Sequence, residues 1–207
     1  MRAESRTHLR VAFDTAHVLA VPIRHDALTE AARIWNVYDI TIDAADVVAC
    51  DIAGPASLTV AIVQENRPRR GDGDASLGAV RFAPDGVPEP TITLYLDAVI
   101  RIATSAPVMG LHPAFWPTEL REQVVGRALG RALAHEIGHF LMRSPHHADS
   151  GLMRAFQRGS TLAAPSPRPF ALTGLDRARL RIALAAPAGV FMASRDVQET
   201  CPVAAAR

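Results

Sequence analysis

The sequence predicts an α+β fold: a twisted mixed sheet of about four or five strands packed on two helices, with a smaller helical lobe at the C-terminal end. Three observations predict it. Strand-like and helix-like segments alternate through the first half, a proline-free run spans positions 118–143, and a proline-rich loop then leads into a capped segment at 173–185. At 207 residues, 49% of them hydrophobic and 21% charged, the chain is long enough for one domain with a real core. Residues 1–153 read as the main unit and 154–207 as a lobe of the same domain.

The elements follow in order. LRVAFD (9–14) is a strand. Asp26 can cap a helix running to about Asn36, with Leu28, Ala31, Ala32, Ile34 and Trp35 on its apolar faces. YDITID (38–43) and SLTVAIVQ (57–64) alternate or run apolar with β-branched residues, as strands do, and NRPRRGDGD then breaks the chain. LGAVRF (77–82) and TITLYLD (91–97), joined by APDGVPEP, are two more strands.

Pro113 and Pro117 bracket an aromatic turn, after which Thr118 is the expected N-cap of one long helix, with Glu119 and Glu122 near its positive end. Gly126, Ala128, Gly130, Ala132, Ala134 and Gly138 would weaken this helix in isolation but permit close packing, so it reads as buried. SGLMR (150–154) is a turn and GSTLAAPSPRP a loop. In TGLDRARLRIALA, Thr173 and Asp176 form a capping signature for a terminal helix.

Charge excludes some classes of function. The 22 basic residues are balanced by 21 acids, for a net charge of +1, and the densest basic run, ENRPRR (65–70), sits in a solvated loop, so nucleic acid is not an expected partner. No apolar run reaches the roughly 18–20 residues of a membrane span. VAFDTAHVLAVPI is interrupted by Asp14 and His17 and reads as a strand, not an export signal, which makes the cytoplasm the default compartment and export the expectation only if the start is misplaced. Cys50 and Cys201 are expected as free thiols.

The chemistry gathers in HEIGHFLMRSPHHADSGLM (135–153). His135 and His139, four apart on a helix, present two imidazoles on one face. Glu136 beside the first can reach a water at the metal without binding the metal. A helix carrying two unrelated histidines is the plain alternative. A catalytic zinc needs a third protein ligand, and His146, His147 and Asp149 follow within reach once Pro145 ends the helix near Arg143. His146 and His147 point to opposite sides of an extended chain and cannot easily both serve. His8, His17, His25 and His112 are scattered and read as ordinary surface or core residues, and Arg143 and Arg154 stay outside the site.

HEIGH and the later SGLM, with Met153, resemble the metzincin group of zinc-dependent metallopeptidases, in which HExxHxxGxxH supplies three histidines and a methionine turn underlies the metal. The order LGAVRF, TITLYLD, long helix is similar to that group's. Two positions depart from its pattern: Met142 stands where the family has glycine, and Pro145 where it has the third histidine. The whole string also resembles small bacterial proteins with a HEIGH, Ser, His, GLMRA order, and that resemblance favours His147 as third ligand over His146, with Asp149 after both.

The resemblance implies a zincin fold, with residues 1–153 as a metalloprotease-like catalytic domain, one catalytic Zn2+ on His135, His139 and His147, and Glu136 as general base. It implies a metalloendopeptidase acting on peptide or protein substrates, which could lie along LGAVRF. Met153 would floor the site without binding metal. The competing expectation is a zincin-like domain that binds zinc or a partner without turnover.

Overall fold

The computed structural model describes residues 6–14, 19–45, 57–64, 76–155 and 157–185. Cys50, Cys201, His17 and the ENRPRR run lie outside them. Among the described residues five strands form one mixed sheet in the order β2-β1-β3-β5-β4: β1 (Thr7–Phe13), β2 (Ile40–Ala45), β3 (Ser57–Val63), β4 (Gly78–Phe82) and β5 (Pro88–Tyr95). β1, β2, β3 and β5 run parallel, and only the edge strand β4 is antiparallel to its neighbour.

Alternation explains the sheet's single buried face. The register aligns Phe13, Val60, Ile92 and Val80 in one row and Ile62, Leu94 and Gly78 in the next. Val60, Ile92 and Leu94 in these rows are fully buried, facing the helices. The second row ends on a glycine, where a side chain would otherwise point inward.

Against this face pack α1 (Val21–Trp35) and the long α3 (Thr118–Met142), while α2 (Leu96–Ala103) packs on α3. α1 and α3 touch backbone to backbone: a Cβ at Gly126 would lie 2.6 Å from Asp26 Cβ, and one at Gly130 only 2.4 Å from the Ala27 carbonyl oxygen. The small residues of α3 therefore serve close approach to a helix as well as to the sheet. Trp35, at the end of α1, donates its indole N–H to the Ala134 carbonyl at 3.1 Å.

Below α3 lie α4 (Gly159–Ala163), a 3-10 turn at Arg168–Phe170, and α5 (Gly174–Ala185). The capping signature of α5 forms: Thr173 Oγ1 donates to Asp176 Oδ2 at 2.6 Å, and the Asp176 N–H donates to Thr173 Oγ1 at 3.2 Å. Among the described residues no helix is long and apolar enough to cross a membrane.

Four expectations are corrected. α1 starts at Val21 with Pro22 in its first turn, so Asp26 is an interior residue packed on α3 and not a cap; proline's fixed φ suits a helix start as well as an Asp cap does. TITLYLD is not strand to its end, because Leu96 and Asp97 begin the amphipathic α2, which buries Leu96, Ala98, Val99 and Ala103. Pro117, not Thr118, holds the N-cap position of α3, with no side-chain cap. The stretch GSTLAAPSPRP contains the short helix α4.

Gly130→Ala tests the helix contact. Helix propensity alone favours alanine by about 1 kcal/mol, whereas the overlap with the Ala27 oxygen predicts a net loss of about 1–3 kcal/mol, read as a lower urea midpoint with an unchanged m-value.

Candidate metal centre

α3 carries His135, Glu136 and His139 into a cleft of about 650 Å³. One wall is the edge strand β4, with Gly78, Val80 and Phe82; the other includes Leu152, Leu162 and Phe170. Glu136 and His139 are buried and His135 half-buried.

The helix ends in a way that returns the chain to these residues. Arg143 adopts a left-handed φ of 49°, and the Ser144 N–H donates to the His139 carbonyl at 3.2 Å. The chain then passes Pro145 and brings His147 back. Its ring stacks on His135, with centroids 5.3 Å apart and planes at 19°, and meets His139 edge-on at 4.8 Å. One ligand atom from each of His135, His139 and His147 lies within 4.8 Å of the others, so the trio could hold a metal ion. His146 and Asp149 are exposed and outside the trio.

The hydrogen bonds say which nitrogens are free. His135 Nδ1 lies 2.7 Å from the Leu152 carbonyl, and His139 Nδ1 lies 2.7 Å from that of Ser144. A carbonyl only accepts, so both protons sit on Nδ1 and both Nε2 atoms carry lone pairs. Those atoms face each other at 3.0 Å. Lone pairs at this separation repel unless a cation lies between them, and two imidazole nitrogens sharing a tetrahedral ion at about 2.0–2.1 Å stand about 3.3 Å apart. A carbonyl behind each ring is also how metal-binding imidazoles are oriented.

Burial pushes His135 down to about 3, with His139 and His147 adding repulsion and the Leu152 carbonyl opposing. His139 and His147 are lowered as well, burial first in each. All three shifts favour the neutral imidazole that binds a metal. Burial pushes the Glu136 carboxyl up to about 8, opposed by a hydrogen bond from the Val80 backbone N–H.

Met153 is fully buried against α3: a Cβ at Gly138 would lie 2.4 Å from its sulfur. Its turn is tied on both sides, by the Ala148 N–H to the Met153 carbonyl at 2.8 Å and by the Leu152 N–H to the Ala171 carbonyl at 3.1 Å. Of the scattered histidines, His8 pairs with Asp43 at 3.0 Å, His112 accepts from the Ala114 N–H, and His25 is exposed. Arg154 lines the cleft, and so does a residue that sequence reasoning missed, Arg131, buried one turn before His135. Its position on the small-residue face of α3 was the available sign. No protein-family model matches the chain, and no curated protein sequence matches it.

Removing His147 should weaken divalent-metal binding by more than the roughly 10–100-fold that loss of an outer-shell partner costs, while His146→Ala binds as wild type does. Calorimetric titration of both variants with zinc checks this, and equal losses would remove His147 from the trio.

Proposed function

We propose that the protein is a zinc-dependent hydrolase of zincin fold and metzincin type, acting as a metalloendopeptidase. The observation that carries this reading is the pair of His135 and His139 lone pairs converging at 3.0 Å with the Glu136 carboxyl buried beside them. A structural site has no use for that carboxyl. The open cleft and an antiparallel edge strand along it support the same reading.

His135, His139 and His147 would hold the ion. Zinc bound there would supply Lewis acidity, lowering the pKa of a water and polarising a substrate carbonyl. Glu136 takes the proton of the attacking water and hands it to the leaving amine. The carboxyl's burial makes it a stronger base than an exposed glutamate. A peptide running beside β4 would bring its backbone past Glu136 in the manner of an added strand. Phe82, Ile102, Leu162 and Phe170 give the cleft apolar surface for a substrate side chain.

The rival is a zinc-binding domain that engages a partner without turnover. Glu136→Gln separates the two. A hydrolase variant keeps its zinc and loses roughly 10²–10⁴-fold in turnover, the share a general base contributes, whereas His139→Ala loses the metal as well. The measurement is cleavage of a mixed peptide library, with zinc content determined in each protein. Equal cleavage by wild type and Glu136→Gln, or none by a wild type that holds zinc, would overturn the peptidase assignment.

A further inference from the structure

Gly78 occupies an inward-facing position of β4, in the row Ile62, Leu94, Gly78. Where its side chain would be, the Glu136 side chain stands instead. A Cβ at Gly78 would lie 2.8 Å from Glu136 Cγ, 3.0 Å from Glu136 Oε1 and 2.9 Å from Leu94 Cδ2. Real Cβ atoms essentially never come within 3.0 Å of such neighbours.

The same strand also holds the carboxyl by a hydrogen bond. The Tyr95 N–H donates to the Leu77 carbonyl at 3.0 Å, and Ala79 opposite Thr93 continues that bonded ladder. In an antiparallel pair the residues between bonded positions turn their backbone groups outward, which frees the Val80 N–H to donate to Glu136. Glycine at 78 leaves room for the carboxyl; the amide at 80 fixes it.

We propose that Gly78 is a positioning residue for the Glu136 carboxyl: the absence of a side chain at this one edge-strand position sets where the proposed base stands relative to the three histidines. The kinetic consequence rests on the hydrolase reading; the placement of the carboxyl does not. A methyl group at 78 has two soft neighbours, Leu94 and Glu136, and only displacement of Glu136 releases the Val80 amide.

The test uses the full chain with Gly78→Ala. Amide exchange followed by NMR should speed at Val80 by about tenfold or more, with Ala79 unchanged as the internal reference. In the zinc-loaded protein, kcat for a peptide should fall about 10- to 100-fold, as misplacement of a reacting group by around 1 Å does, with KM and zinc content held. The fall should vanish when Gly78→Ala is made in the Glu136→Gln protein. It should also persist when Leu94→Val removes the competing contact. Val80 staying protected in Gly78→Ala, or Leu94→Val restoring kcat, overturns the proposal. A zinc-loaded wild type without hydrolysis would sink the proposed function alone, and the exchange at Val80 then decides the role of Gly78.

Discussion

A guanidinium taken out of water must find an acceptor for its donors, and at Arg131 that requirement ties three parts of the chain together. Its Nε donates to Glu30 of α1 at 2.7 Å, its Nη1 to the carbonyls of Thr161 and Leu162 at 2.8 and 2.9 Å, and its Nη2 to that of Ser166 at 2.9 Å. The cation also lies 4.6 Å from the Phe170 ring centre. Burial pulls Arg131 down to about 10, with Glu30 opposing, so it keeps its charge at neutral pH. Burying a charge costs several kcal/mol unless it is paired and hydrogen-bonded, so any arrangement that moved the segment 161–170 off α3 would leave this charge stranded. The lower wall of the cleft is held by that constraint. Through the Ala171 carbonyl it supports Leu152, and through Leu152 the ring of His135.

The strands and the long helix were legible because their information is local. β-branched residues in alternating or apolar runs mark β2 and β3, and HEIGH marks the face of α3 that meets the cleft. What escaped depends on tertiary context. LDAVIRIA continues the apolar pattern of β5, and only the turn to a 3.6-residue period at Leu96 separates helix from strand. Arg131 was passed over because arginine is usually exposed. The choice between His146 and His147 hangs on a left-handed turn at Arg143, a conformation that side chains with a Cβ rarely adopt and that no glycine announces.

The electrostatics of the cleft all lean one way. Burial drives the three imidazoles and the Glu136 carboxyl alike toward their uncharged forms. A divalent charge at the trio acts in the opposite sense on the carboxyl, favouring its ionised form. The cleft therefore couples the presence of a cation to the basicity of its neighbour.

The order of the strands separates what is local in the chain from what is central in the sheet. β4 and β5 form a hairpin with a short connection, while β1, one strand in from the far edge, pairs with the central β3 only after a loop of roughly 45 residues has closed, and the entropy of closure rises with loop length. Contacts between distant segments are the slow ones in folding. During synthesis β1 emerges first, yet it cannot be flanked on both sides until β2 and β3 have followed it. The edge that borders the cleft is thus assembled from neighbours in sequence, and the sheet's centre from strangers.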